Sequence, residues 1–176
     1  MTPNDDPARR RRVFFALWPD EAVRTALVRA TRRAVRRAGG KPTPAEKLHV
    51  TVAFLGSVEP DALARVLEVP PIAVGPFPLV LDTLGSSGRT RILWLTCRHV
   101  PPALAALETT LWERLEAEGF ERERRLFRPH VTLARGARAL ADPVEPVEWP
   151  VTELALVESL PDRNGTRYEV LERWAL

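Results

Sequence analysis

The chain has 176 residues, of which 45% are hydrophobic and 28% are charged, and its formal net charge is +3. This length allows one sizeable core, or two small lobes that share an interface. A single cysteine, Cys97, excludes an intramolecular disulfide and any metal site built from several cysteines. No run approaches the roughly 18 apolar residues that cross a bilayer, and the apolar run near the N-terminus is too short for a signal peptide. We therefore expect a cytoplasmic protein without membrane partners.

Basic residues are concentrated in the first third of the chain. Residues 1–47 contain 12 Lys and Arg against 5 Asp and Glu. Such a segment could attract a polyanion by long-range steering. A solvated, charged helix face is the favoured interpretation, and a dedicated nucleic-acid patch is the alternative.

The first half of the chain predicts a strand, a helix and a second strand. We expect residues 1–11 to be a disordered tail, and the apolar run at 13–18 is typical of a central strand covered on both faces. Asp20 can cap a helix whose apolar spacing extends over residues 21–38, and Gly39 follows as a stop signal. The elements predicted next are a loop at 41–47, a strand at 48–55 ending at Gly56 and a short helix at 61–67. An apolar run at 77–84 and a loop or hairpin turn at 85–88 follow.

The second half repeats this order. A strand at 92–96 is followed by a helix that starts after Pro101 and Pro102, a charged loop at 121–128 and a strand from His130. The first strand of each half begins at a similar distance from the motif histidine: 36 residues from Val13 to His49 and 38 from Ile92 to His130. This agreement supports an internal duplication. Strands near 151–159 and 168–176, joined by Asn164-Gly165, predict a hairpin. The pattern favours an α+β protein with two pseudo-symmetric, mostly antiparallel halves.

The duplicated segment carries the strongest functional signal. His49-Val50-Thr51-Val52 has a counterpart in His130-Val131-Thr132-Leu133. Residues two apart on a strand share a face, so each copy presents an imidazole and a hydroxyl together while the aliphatic residues point into a core. The remaining histidine, His99, has no threonine two residues later and is interpreted as a surface residue. Two such strands predict one site with two histidines.

The sequence lacks the residues that several other kinds of active site require. A zinc site would need a third ligand at a recognisable spacing, a hydrolase triad would need a Gly-x-Ser-x-Gly elbow, and no phosphate loop or dinucleotide fingerprint occurs. A paired general acid and base remains, because one imidazole can hold a proton at neutral pH while the other is free. Threonine hydroxyls and a nearby arginine suit the oxygens of a phosphoryl group.

Two His-x-Thr-x motifs about eighty residues apart make the chain resemble the 2H phosphoesterase superfamily, and within it the RNA 2',3'-cyclic phosphodiesterases, also called 2'-5' RNA ligases. The resemblance extends over almost the whole chain from Arg12. It rests on residues 13–17, 48–56, 92–94 and 128–135 and on Ser159, Gly165 and Tyr168.

This resemblance implies a single bilobal domain over residues 12–176, with helices on the outer faces and both motifs in a central cleft. It implies hydrolysis of a terminal 2',3'-cyclic phosphate of RNA to a 2'-phosphate, without metal or other cofactor, and small cyclic nucleotides are possible substrates. By matching position, His49 would protonate the departing 3' oxygen and His130 would activate water. Thr51 and Thr132 would hold the phosphate, and Arg135 matches the family's arginine after the second motif. We expect a monomer.

Two alternatives and one conflict stay open. The same groups could ligate 2',5' RNA ends, or the chain could be a non-catalytic RNA-binding module. Strict alternation places Arg128 on the face of His130 and points Arg135 away, unless the strand bulges near Gly136. Both arginines are therefore candidates for the phosphate. The aromatic residues Phe14, Phe15 and Trp94 could stack on a base, although core packing is favoured.

Overall fold

The computed structural model describes residues 9–69, 72–163 and 165–176. Within these ranges the elements are, in chain order, β1 (Arg11–Leu17), α1 (Glu21–Ala38), β2 (Lys41–Pro42), a 3-10 helix (Ala45–Lys47), β3 (Val50–Val58), α2 (Pro60–Leu67), β4 (Phe77–Leu81), β5 (Thr83–Ser87), β6 (Ile92–Thr96), α3 (Pro102–Ala117), β7 (His130–Arg135), β8 (Val147–Val151), β9 (Glu153–Asp162) and β10 (Gly165–Ala175). The predicted α+β class is confirmed. None of the described helices is long and apolar enough to cross a membrane.

One large antiparallel sheet carries both motifs. Its strand order is β10-β9-β1-β3-β7-β6-β5, and β2 pairs with β7. The first half of this sheet ends at β3 and the second begins at β7, and these two strands share a single register pair, Val50 opposite Val131. Each of these valines directly follows a motif histidine. The two motifs therefore meet at the centre of the sheet.

Strand β1 is covered on both faces, as its unbroken apolar run predicts. Val13, Phe15 and Leu17 join the main core, and each is at most 1% exposed. Phe14 and Ala16 point to the opposite face, where they form a smaller cluster with strand β9. Fully burying a side chain such as Phe15 contributes about 1.5–3 kcal/mol. The smaller cluster lies on the face of the sheet that carries His49.

Helices α1 and α3 both pack into the main core, on the face opposite the motif histidines. The side chain of Asp20 accepts a hydrogen bond from the Val23 amide at 2.8 Å, and Gly39, with φ of 68°, ends α1. Helix α1 lies against β6, β7 and β8, whereas α3 lies against β3. Each helix thus packs on strands of the other half, so the two halves interlock.

The apolar run at 77–84 forms two strands in different sheets. Strand β4 pairs with β8 in a separate two-stranded sheet, and β5 pairs with β6. Asp82 lies between them and accepts hydrogen bonds from the Thr83 hydroxyl and the Arg98 amide, which fixes a polar break in an apolar run. The prediction missed both this break and β8.

The structure also corrects the expected turn at 85–88 and the expected end of β3. The turn predicted at 85–88 is wrong for residues 85–87, which belong to β5, because Gly85 leaves room for the Trp94 indole. Strand β3 continues through Gly56 to Val58, since a glycine with φ of 73° accommodates an irregular register there. The hairpin of β9 and β10 is confirmed, although Asn164 of its predicted turn lies outside the described residues, as do residues 1–8 of the predicted tail.

Candidate active site

A β-bulge in strand β7 settles the orientation of Arg135. Trp94 lies opposite Thr132 but Leu93 lies opposite Ala134, so β7 has one extra residue, Leu133. Leu133 and Ala134 are both buried in succession, and Arg135 returns to the exposed face. Because the extra residue shifts the alternation by one position, Arg135 shares a face with His130 and Thr132.

Strand β3 has the same bulge at the same place in its motif. Ala16 lies opposite Thr51 and Phe15 lies opposite Ala53, which leaves Val52 as the extra residue. Phe54 is thereby brought to the face of Thr51, at the position that Arg135 occupies in the second copy. Its side chain is 37% exposed, and the Arg12 guanidinium lies 4.7 Å from its ring centroid. Phe54 was not predicted as a site residue, although extending the alignment of the two motifs by two residues pairs it with Arg135.

Both motif histidines are oriented by the same backbone hydrogen bond. Nδ1 of His49 lies 2.7 Å from the Lys47 carbonyl oxygen, and Nδ1 of His130 lies 2.7 Å from the Arg128 carbonyl oxygen. A carbonyl oxygen only accepts, so Nδ1 carries the proton and donates it. Nε2 of each ring is then the atom that gains or loses a proton. In the first copy Nε2 lies 3.1 Å from Oγ1 of Thr51.

The two rings differ in their surroundings. His49 stacks on Trp18 with ring centroids 5.4 Å apart, and its ring also contacts Phe14 and Tyr168 at 5.0 and 5.3 Å. Burial among these aromatic residues lowers the pKa of His49, and the positive charges of His130 and Arg135 lower it further, while the hydrogen bond to the Lys47 carbonyl acts in the opposite direction. His130, in contrast, is exposed.

A cleft of about 960 Å³ runs along the motif face. Its walls include five predicted site residues, Thr51, Arg128, His130, Thr132 and Arg135. His49 is not among the lining residues, but its Nε2 lies 3.1 Å from Oγ1 of Thr51, which lines the cleft. Both candidate arginines thus reach the site. The cleft is also lined by Phe54 and Trp94, whereas Phe14 and Phe15 are core residues with at most 3% exposure. His99 is exposed and does not line the cleft, as expected.

The arrangement brings two titratable rings, two hydroxyls and cationic side chains to one cleft. A model of the 2'-5' RNA ligase superfamily matches residues 18–163. The chain belongs to this superfamily. The family predicted from the duplicated motif is therefore confirmed.

Curated relatives and solved structures agree with this assignment to the 2'-5' RNA ligase superfamily. The RNA 2',3'-cyclic phosphodiesterase of Escherichia coli is 35% identical over 94% of this chain and 97% of its own length. The protein of the same name from Thermus thermophilus is 34% identical over 94% of this chain and 90% of its own length. The crystal structure of E. coli LigT complexed with 3'-AMP superimposes with a TM-score of 0.86 at 33% identity, covering 95% of this chain and 98% of LigT.

Among the residues that the structure describes, no group of three or more His, Cys, Asp or Glu side chains is arranged to hold a metal ion. The lone Cys97 is buried, and burial raises the pKa of its thiol. Independence of metals stays a prediction, which an assay with a chelator tests directly.

Proposed function

We propose that this protein hydrolyses the terminal 2',3'-cyclic phosphate of RNA to a 2'-phosphate. The observation that carries the proposal is the pair of imidazoles at the starts of two adjoining strands, each tied through Nδ1 to a backbone carbonyl and each followed two residues later by a threonine. The names of the relatives from E. coli and T. thermophilus support the same activity.

In the proposed reaction His130 is the proton acceptor and His49 the proton donor. Nε2 of His130 takes a proton from a water molecule, whose oxygen forms a bond to phosphorus. The bond from phosphorus to the 3' oxygen breaks, and that oxygen receives the proton on Nε2 of His49. Each such transfer typically contributes about 10²–10⁴ in rate. The products are a 3' hydroxyl and a 2'-phosphate.

The pKa of His49 is lowered, whereas a proton donor must carry its proton when the substrate is bound. Burial favours the neutral ring, which has no proton on Nε2 to give. A bound cyclic phosphate carries a negative charge close to the ring, and such a charge favours the imidazolium form. Substrate binding therefore supplies the protonation that the donor role requires, and a donor with a low pKa releases its proton readily to the departing oxygen.

The phosphate is held, in this proposal, by Thr51, Thr132 and Arg135. Hydroxyl and guanidinium groups donate hydrogen bonds to non-bridging oxygens, where negative charge develops. Arg128 lines the same cleft, and its backbone carbonyl orients His130. We assign the main contact to Arg135, because the bulge in β7 places its side chain on the face of His130 and Thr132. Its counterpart in the first copy, Phe54, can stack on the terminal base.

A short RNA with a 2',3'-cyclic phosphate end tests the proposal. The unaltered protein should convert it to a 2'-phosphate end in excess EDTA. His49→Ala and His130→Ala should each lower kcat by at least about 10², and Arg135→Ala should lower kcat/KM more than Arg128→Ala. His99→Ala, a histidine outside the cleft, is the matched control and should retain full activity. Full activity in either motif variant would refute the mechanism.

Ligation of 2',5' RNA ends and simple RNA binding are the alternatives. Ligation would yield a product that resists nucleases specific for 3'-5' linkages, and we expect hydrolysis to dominate in water. A binding module would keep its RNA affinity when both histidines are replaced. We also propose a monomer, since a single chain supplies both motifs and the whole cleft. The cytoplasmic location stays a prediction from the sequence.

A further inference from the structure

The cleft extends beyond the motif residues, beneath the segment that joins α3 to β7. We name residues 121–128, with the sequence Glu-Arg-Glu-Arg-Arg-Leu-Phe-Arg, the arginine loop. Six of its eight residues line the cleft, among them Arg125 and Leu126. The volume of about 960 Å³ is at the upper end of ordinary ligand pockets. It exceeds what two threonines and two histidines around one phosphate require.

The arginine loop is anchored at both ends. The Glu108 side chain on α3 is 7% exposed, and both of its oxygens accept hydrogen bonds from Nη2 of Arg122, at 2.9 and 2.7 Å. Just after the loop, the Pro129 carbonyl accepts a hydrogen bond from the Thr96 hydroxyl at 2.6 Å. Charge-assisted bonds to a buried carboxylate are among the stronger ones in proteins. The loop therefore holds a defined position over the cleft.

Phe127 packs against the main core, whereas Arg124, Arg125 and Leu126 between these anchors are exposed. Arg122 is neutralised by Glu108, but no ion pair to Arg124 or Arg125 occurs within the described ranges. Leu126 is 79% exposed, the highest value among the large hydrophobic residues described as exposed. The acidic residues Glu121 and Glu123 lie at the end near α3, so positive charge predominates at the end near His130.

We propose that the arginine loop binds the RNA strand on the 5' side of the terminal cyclic phosphate. Single strands are bound by cationic grooves that follow the backbone, together with side chains on which bases stack. Arg125 contacts a phosphodiester upstream of the terminal nucleotide, and Leu126 packs against a base. The proposal rests on the proposed function, and it specifies an oligoribonucleotide as the preferred substrate over a cyclic mononucleotide.

The test compares two substrates with one loop variant. Arg125→Gln should lower kcat/KM several-fold for a short RNA ending in a 2',3'-cyclic phosphate, and should leave kcat/KM for a 2',3'-cyclic mononucleotide unchanged. For this variant, the slope of log kcat/KM against log salt concentration, measured with the RNA, should be shallower by about 0.7. This is the value for one phosphate contact on a single strand. Leu126→Ser should weaken use of the RNA without changing the salt dependence.

The matched control is Arg33→Gln, an exposed arginine on the outer face of α1. It should leave both substrates unaffected. Equal losses with both substrates in Arg125→Gln would overturn the inference, as would a selective loss with RNA in Arg33→Gln instead. Failure of the unaltered protein to convert either substrate would refute the proposed function. In that case the affinity for an RNA with a 2'-phosphate end, measured by fluorescence anisotropy, would still decide whether Arg125→Gln weakens binding several-fold.

Discussion

His49 and His130 have the same neighbours in sequence and opposite environments in the structure. The ring of His49 lies among aromatic side chains, whereas that of His130 is exposed to solvent. Removing water from around an imidazole disfavours its charged form, so burial lowers the pKa of His49. A duplicated motif can thus supply one donor and one acceptor.

Trp18 is the residue through which this difference can be tested. Trp18→Ala should admit water to the face on which the indole stacks, which raises the pKa of His49 towards its ordinary value. The limb of the pH profile of kcat/KM that His49 controls should therefore move to higher pH, while the other limb stays in place. Trp18→Phe, which keeps an aromatic ring, should retain the original limb.

Trp94→Ala is the control for this pH experiment. Trp94 contacts His130, with ring centroids 6.3 Å apart, and should not move the His49 limb. An unchanged pH profile in Trp18→Ala would contradict the effect of burial on the pKa of His49.

At the scale of elements, the paired bulges and the short strand β2 position the end of β7. β2 pairs Lys41 with Arg135, and Gly40 lies directly before it with φ of 82°. A Cβ atom on Gly40 would lie 2.4 Å from the Arg135 carbonyl oxygen and 2.7 Å from the Gly136 carbonyl carbon. Only glycine lets the backbone before β2 approach β7 this closely.

Gly40→Ala should therefore destabilise the protein and displace Arg135. Gly39→Ala is the matched control, since Gly39 also has a positive φ, of 68°, but a Cβ atom there would meet nothing within 4 Å. The free energy of unfolding, measured in urea, should fall by at least about 2 kcal/mol more for Gly40→Ala. Its kcat/KM should fall as well. Equal destabilisation by the two substitutions would contradict the close approach.

At the scale of the molecule, the two halves are held by contacts between distant parts of the chain. Helices α1 and α3 pack on strands of the opposite half. The carboxylate of Glu158, on β9, has a side-chain exposure of only 2% and pairs with Arg9 at 2.7 Å and with Arg11. Strand β1 thus begins within the predicted tail, because Arg11 belongs to the strand and its charge is neutralised from β9.

Glu158→Gln should lower the free energy of unfolding by about 1–3 kcal/mol, because two arginines then lose their carboxylate in a partly buried site. Glu59→Gln removes a carboxylate that pairs with Arg10 at the surface, where both side chains are more than half exposed. The control should cost at most about 1 kcal/mol. Urea unfolding of both variants measures the difference, and equal losses would contradict a special role for Glu158.

Local sequence patterns predict the order of most elements and place both motifs at strands. Apolar spacing is a local property, so the spans of α1, α3 and β6 follow from it. The repeated His-x-Thr triplet predicts two polar pairs on two strand faces, and the resemblance that it carries identified the superfamily. These signals depend on residues within a few positions of one another.

Features that depend on partner strands follow from the three-dimensional arrangement and not from local patterns. A bulge is defined by the register of two strands, so sequence alternation alone pointed Arg135 away from the site and left Phe54 unnoticed. The separation of β4 from β5 into different sheets depends on β8 and β6. The lowered pKa of His49 depends on Trp18, Phe14 and Tyr168, which come from distant parts of the chain, because desolvation is set by what packs around a ring in space.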